Sequence, residues 1–197
     1  MPCSQGGGKS TSKNNATLAE VDDELKKFRN KINGNTRSIL IFISSHGQRT
    51  GNQEFFLAVD GEMKNFNSVL NMFSETECPI LAGKPKLFLA SFCRTYGVAR
   101  EGDLEPVKVE DNRNMLIAYS TSVGCAAYMN KNGSWFITAL TKAMEKLPVE
   151  NSVDVFKRTN RMVSVKEGVD SGGMECFAVS KCTYDEDFEN YYFGKSG

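Results

Sequence analysis

SILIFISSHG, residues 38–47, is an apolar run that ends in a histidine and a glycine, and that histidine, His46, is the only one in 197 residues. A strand-length run this uniformly apolar predicts a strand in a sheet covered on both faces rather than one with a wet side. A second such run, KLFLASF at 86–92, leads straight into Cys93, 47 positions after His46. A third, MLIAYS at 115–120, has the same character. Segments of helical period lie between the runs, so the chain reads as an α/β fold: a mostly parallel central sheet, right-handed crossovers and helices on both faces. Sites in such sheets lie beyond the carboxyl ends of the strands, and His46, Cys93 and Ser120 all fall there.

Outward from these runs, Thr17-Leu-Ala-Glu20 has the spacing of a capping box, and Leu18, Val21, Leu25, Phe28 and Ile32 follow at helical intervals, which predicts a helix over 17–33 stopped by Gly34. Residues 48–53 read as a polar loop, and Phe55–Val59 with Asp60-Gly61 as a short strand pair. Phe66, Val69, Leu70 and Phe73 share one helical face, and two further amphipathic helices are predicted at about 134–147 and 152–166. The first 16 residues are polar and glycine-rich and read as a flexible tail. GGGKST within it lacks the glycine that a phosphate-binding loop needs five positions before its GK pair, where this chain has Cys3.

Twenty-four basic and 24 acidic side chains cancel, so no global field recruits nucleic acid or an anionic membrane. No run approaches the roughly 20 apolar residues of a membrane span, and the N-terminus lacks the hydrophobic centre of a signal peptide, so the expected location is cytoplasmic. The six cysteines, at 3, 78, 93, 125, 176 and 182, form no CxxC pair and read as free thiols. With one histidine and such scattered cysteines, neither a metal nor another cofactor is expected.

If the chain does acid-base or nucleophilic chemistry near neutral pH, the base is His46, because no other side chain present titrates there unperturbed. Cys93 by itself reads first as a buried structural thiol. Two strand ends delivering Ser-His-Gly and Cys-Arg to one sheet edge are what a Cys-His hydrolase needs.

SSHGQ at 44–48, CPILAGKPKLFLASFCR at 78–94, IAYSTSVG at 117–124 and NGSWFITAL at 132–140 together resemble the caspases, in order and spacing, over roughly residues 17–193. The caspase signature places its histidine about 50 residues before the cysteine. The resemblance implies a caspase-like three-layer fold over 17–197, with a large-subunit part at about 17–102, a linker at about 95–114 and a small-subunit part at about 115–197. It implies a cysteine endopeptidase of apoptosis-type signalling, in which a Cys93 thiolate attacks the scissile carbonyl and His46 protonates the departing amine. The N–H groups of Gly47 and Cys93 would form the oxyanion hole, and Ser91, Ser120, Tyr128 and Met129 would bind substrate. Asp103, rather than Asp111, is the better candidate for cleavage of the linker.

Three departures accompany the resemblance. Caspases hold the aspartate on the acyl side of the cut bond (P1) with two arginines and a glutamine. The glutamine position here is Ser91, the later arginine position is Met129, and the earlier arginine has no counterpart. A carboxylate desolvated there without a cation loses about 3–5 kcal/mol, so an uncharged or flexible apolar P1 side chain is expected instead. Arg49, Arg94 and Arg100 are the nearby cations, and each reads first as a solvated surface charge. The family also opens with two strands and a helix that find no match before Thr17, which leaves Ile39–Ser44 as an expected apolar edge. The linker, finally, is short. Family members dimerise through a last strand, here expected at about Glu175 to Lys181 with Cys176, Phe177 and Val179 as its apolar positions. A homodimer, or a heterodimer with a caspase, is therefore expected. The alternative to an enzyme is a non-catalytic homologue that binds and modulates an active caspase.

Overall fold

The computed structural model describes residues 10–97, 113–130, 133–145, 151–165, 167–169, 175–177 and 181–184, with the backbone alone described at 129–130 and in the last three segments. The elements follow in the order α1 (Leu18–Lys31), β1 (Ile39–Ser44), β2 (Gly47–Thr50), β3 (Gln53–Leu57), β4 (Met63–Asn65), α2 (Phe66–Met72), a 3₁₀ turn (Pro79–Leu81), β5 (Lys86–Ser91), β6 (Met115–Tyr119), β7 (Met129–Asn130), β8 (Gly133–Ser134), α3 (Trp135–Glu145), α4 (Ser152–Ser164), β9 (Glu167–Val169), β10 (Glu175–Phe177) and β11 (Lys181–Tyr184).

The three apolar runs form the centre. β1, β5 and β6 are parallel neighbours, Ile39 opposite Lys86 and Lys86 opposite Met115, and β11 pairs antiparallel with β6, giving the order β1-β5-β6-β11. Alternation along the strands divides the core into two layers. Ile39, Ile41, Phe88, Ala90, Met115, Ile117 and Tyr119 pack with α2 and with Val21, Leu25, Phe28 and Ile32 of the α1 region. Leu87, Leu89, Leu116 and Ala118 face the other way, onto α3 and α4. The expected α/β architecture with helices on both faces is thus present.

Three helices, α1, α2 and α4, begin where the sequence supplies a cap. The capping box closes as predicted: Thr17 Oγ1 accepts the Glu20 N–H at 3.3 Å, and the Glu20 carboxylate accepts the Thr17 N–H at 3.0 Å. Asn65 caps α2 through the Asn67 N–H at 2.9 Å, and Asn151 caps α4 through the Val153 N–H at 2.7 Å. Phe66 then inserts edge-on between Phe88, Phe92 and Tyr119, with the nearest ring centroid, that of Phe92, at 5.4 Å. Burial of such a ring contributes about 1.5–3 kcal/mol, and these rings fix α2 against the ends of β5 and β6.

Three expectations are corrected. The uniform apolarity of β1 does not mean two covered faces: Ile39 and Ile41 are buried, whereas Leu40 and Phe42 are 50% and 46% exposed. Among the described residues β1 is an edge strand, paired with β5 only, and its second face lies beyond the reach of α3 and α4. The polar stretch 48–53 is not a loop but the arms of the β2–β3 hairpin, turning at Gly51 with φ +58°, and β4 completes a three-stranded antiparallel sheet. Last, the stretch expected as one strand at about Glu175 to Lys181 divides. Glu175–Phe177 pairs with β9 in a separate two-stranded sheet, while the strand beside β6 is Lys181–Tyr184. Residue 179 lies outside the described residues, as do the side chains of Cys176 and Phe177.

At the end of the sheet opposite the histidine, Lys86 opens β5 with its side chain fully buried, its Nζ donating to Glu75 Oε1 at 3.3 Å and to the carbonyls of Leu81 and Lys84 at 3.3 and 3.1 Å. Burial pushes the Glu75 carboxyl up, but the Gly83 N–H, the Asn114 amide and the Lys86 ammonium outweigh it, and the net shift is downward. A carboxylate lowered by folding contributes stability that is present above the ordinary glutamate range and lost as the pH falls through the folded value. Urea midpoints measured between pH 7 and pH 3 are therefore expected to fall more steeply in the wild type than in Glu75→Gln, and equal slopes would contradict this.

Candidate active site

The carboxyl ends of β1 and β5 carry the two predicted chemical groups, and neighbouring backbone fixes both. Where β1 ends, the Ser45 N–H donates to the Ser91 carbonyl at 3.2 Å, the Ser45 hydroxyl donates to the Leu57 carbonyl, and the Leu57 N–H donates to the His46 carbonyl at 2.9 Å. His46 thus starts the β2–β3 hairpin and is exposed at the sheet edge.

The hydrogen bond between Leu57 and His46 sets the phase of the hairpin. Hydrogen-bonded and non-bonded pairs alternate in an antiparallel ladder, so the next pair, Gly47 opposite Phe56, turns its backbone groups away from β3. Arg49, two residues on, follows the same phase: its N–H donates to Thr95 at 2.8 Å and its carbonyl accepts from Gly97 at 2.9 Å. The outward side of β2 is consequently the side of the Cys93 loop. A Cβ at Gly47 would lie 2.6 Å from the Phe55 carbonyl oxygen, 2.8 Å from the Phe92 ring and 3.0 Å from the Cys93 carbonyl oxygen. Two of these neighbours are backbone and cannot rotate aside. Gly47→Ala is expected to force the hairpin and the Cys93 loop apart, lowering the unfolding midpoint by an amount equivalent to about 1–3 kcal/mol, and an unchanged midpoint in denaturant titration would contradict that packing.

Cys93 follows Phe92, which is fully buried against Phe56 and Phe66, and is itself half-buried. Its Sγ accepts the Ala127 N–H at 3.3 Å. No hydrogen bond joins Sγ to the His46 imidazole among the described residues, so the structure places the two groups on adjoining segments without engaging them. Catalytic hydrogen bonds that are open in a free enzyme commonly tighten when substrate arrives. The 121–128 segment is tied to the cysteine loop at two further points, Arg94 N–H to the Cys125 carbonyl at 3.0 Å and Gly124 N–H to the Arg94 carbonyl at 2.9 Å.

The expected substrate-binding residues lie in the same region. Ser91 and Ser120 are buried, and Ser91 Oγ is 3.3 Å from the hydroxyl of Ser134. The Tyr128 ring stacks on Trp135 at 5.6 Å between centroids, and its carbonyl accepts the Trp135 N–H at 3.2 Å. Met129 starts the short β7–β8 ladder opposite Ser134. Its side chain lies outside the described residues, as do Arg100, Asp103 and Asp111.

Arg94 overturns its expectation as a solvated surface charge, since it is 4% exposed. Its Nε and Nη2 donate to Glu54 Oε1 at 3.2 and 2.6 Å, its Nη1 donates to the Thr121 carbonyl at 3.2 Å, and its guanidinium lies 3.8 Å above the Tyr119 ring centroid. Arg49 is also no free surface charge, because its side chain is 14% exposed and shares Glu54 Oε1. One carboxylate thereby ties the hairpin to the cysteine loop and, through Arg94, to the 121–128 segment. Burial, reinforced by the Glu54 carboxylate, pushes the Tyr119 phenol well up, so it stays neutral beneath the guanidinium. Glu54 escaped sequence reading, although a single acid inside the apolar run Glu54–Leu57 is the signal that points to it.

Among the described residues no helix is long and apolar enough to cross a membrane. The model of the caspase domain matches residues 6–187. The chain is 28% identical over 164 residues to caspase-3 of Bos taurus and 29% identical over 166 residues to caspase-3 of Mesocricetus auratus, covering 78% and 79% of this chain and 58% of each relative. It is 25% identical over 179 residues to caspase-2 of Gallus gallus, covering 78% of this chain and 41% of that relative. The chain thus spans about half the length of these relatives. With the Ser-His-Gly turn and the Cys-Arg loop meeting at the carboxyl edge of a parallel sheet, and a domain match over nearly its whole length, this chain belongs to the caspase family.

Proposed function

We propose that this chain is a cysteine endopeptidase that cuts peptide bonds with Cys93 as nucleophile and His46 as proton donor to the leaving amine, and that aspartate at P1 is no longer its preferred residue. The observation that carries the reading is the junction of Gly47 with the Cys93 backbone. The phase of β2 turns the Gly47 N–H toward the cysteine loop, and a glycine is required there because a Cβ would overlap the Phe55 carbonyl oxygen and the Phe92 ring, with the Cys93 carbonyl oxygen 3.0 Å away. Beside the Cys93 N–H this supplies the second donor that an oxyanion needs, and such donors are typically worth about 2.7–4 kcal/mol of barrier each.

The arginines support the change in specificity. Arg49 and Arg94 are both committed to Glu54, so neither is available to hold a substrate carboxylate. The division into large and small parts at a linker of about 95–114, processing at Asp103, a cytoplasmic site of action in apoptosis-type signalling and dimerisation belong to the same reading. The test is labelling of the purified protein by peptide-linked electrophiles, compared with Cys93→Ala and His46→Ala. Labelling at Cys93 that depends on His46 is expected, and a folded protein that no probe labels would overturn the reading.

A second reading, a homologue that docks on an active caspase, is favoured by one observation: β1 is an edge strand among the described residues, with Leu40 and Phe42 exposed. Apolar strand edges of this kind pair with other chains. Co-sedimentation with an active caspase, lost on Phe42→Lys, would support it.

A further inference from the structure

Three serines gather on the α3 side of the sheet at its carboxyl edge. Ser91 ends β5 on the same face as Leu87 and Leu89, and Ser120 follows β6 on the same face as Leu116 and Ala118. The ladder continues past its named ends, since the Ser120 N–H donates to the Ala90 carbonyl at 2.8 Å, which sets Ser91 and Ser120 side by side. Ser134, immediately before α3, closes the group with its hydroxyl 3.3 Å from that of Ser91.

The group is incompletely satisfied. Ser120 is 6% exposed and its hydroxyl has no hydrogen-bond partner. Buried hydroxyls are normally paired, and an unpaired one is a cost the fold carries unless something else meets it. Ser91 stands two residues before Cys93, and Ser134 is half-exposed and marks the open side.

We propose that these three serines form the floor of the P1 pocket and select a carboxamide side chain, asparagine above all, over both aspartate and an apolar residue of the same shape. This rests on the endopeptidase reading above. A carboxamide presents two donors and an acceptor, and each hydroxyl gives one donor and accepts in return, so every polar group on both sides can be paired. An isosteric leucine leaves the Ser120 hydroxyl unmet, and sites built to hydrogen-bond a substrate discriminate strongly against an analogue that cannot do so. An isosteric aspartate brings a full charge to neutral hydroxyls while Arg49 and Arg94 are both held on Glu54, and the partial positive charge at the start of α3 offsets only a fraction of the desolvation loss.

The test uses three peptide acyloxymethyl ketones identical except for Asn, Asp or Leu at P1, with the rate of modification at Cys93 followed by mass spectrometry. The expected result is an Asn rate at least tenfold above both others, with the Asn-to-Leu ratio falling at least fivefold in Ser120→Ala. That variant removes an unpaired hydroxyl and is expected to unfold at the same midpoint as wild type or above it. Ser134→Ala, at the exposed side, is expected to lower the same ratio and serves if Ser120→Ala fails to fold. Fastest labelling by Asp or Leu, or a ratio indifferent to both variants, would overturn the carboxamide pocket while leaving the peptidase reading intact. Labelling by none of the three, when iodoacetamide still modifies Cys93, would overturn both.

Discussion

Cys93→Ala is expected to lower peptide hydrolysis by about 10³-fold or more without changing the unfolding midpoint appreciably, whereas His46→Ala is expected to lower it by about 10²- to 10⁴-fold. The two effects should not add, because a nucleophile and its proton donor act as one unit. Neither side chain is part of the core. His46 is exposed, and Cys93 is half-buried with its sulfur on the Ala127 N–H. Loss of activity with retained stability therefore separates a catalytic role from a structural one. Steady-state kinetics on the best peptide, with denaturant titrations of each variant, check both halves. Hydrolysis that survives Cys93→Ala would place the chemistry elsewhere.

The second large effect concerns the buried carboxylate. Glu54 and Arg94 have side chains only 6% and 5% exposed, and Arg49 shares the same oxygen. Glu54→Ala would leave a guanidinium buried among Tyr119, Thr121 and the cysteine loop with no counter-ion. Removal of one partner from a buried pair of this kind costs about 3–5 kcal/mol, against a typical total stability of about 5–15 kcal/mol. Urea titration of Glu54→Ala should show that loss, and Glu54→Gln, which keeps the shape and an acceptor, should lose less. A loss below about 1 kcal/mol would mean that the carboxylate does not hold these loops together. Because Glu54 joins the hairpin after His46 to the loop after Cys93, activity in Glu54→Gln should fall further than stability alone explains.

The parts of this fold that were legible in the sequence are those set by local period. The α1 helix follows from Thr17, Glu20 and five apolar residues at helical spacing, and β5 and β6 follow from apolar runs that are indeed buried throughout. β1 has the same run, but an apolar residue carries no record of whether a second layer covers it, and Leu40 and Phe42 lie where α3 and α4 do not reach. β2 was hidden because Gln48 and Arg49 lack alternation. What makes it a strand is pairing on both sides, with β3 and with the segment 95–97. The last strand is ambiguous in the sequence for a related reason. Glu175–Phe177 and Lys181–Tyr184 both extend, and only tertiary pairing decides which one lies beside β6. His46, Gly47 and Cys93 could be found because each ends or follows an apolar run. Arg94 could not be placed, since its partner, Glu54, lies 40 residues earlier in the chain. The Ser91–Ser134 contact spans 43 residues and leaves no local pattern.

The proposed pairing of Cys93 with His46 is tested most directly by the rate at which iodoacetamide modifies Cys93 at pH 7, read by mass spectrometry in wild type and His46→Ala. Cys125 is half-buried, so it serves as a reference within the same molecule. The account predicts that Cys93 reacts at least tenfold faster in wild type than in His46→Ala while Cys125 reacts equally in both. Equal rates at Cys93 would mean that His46 does not act on it, and would contradict the account.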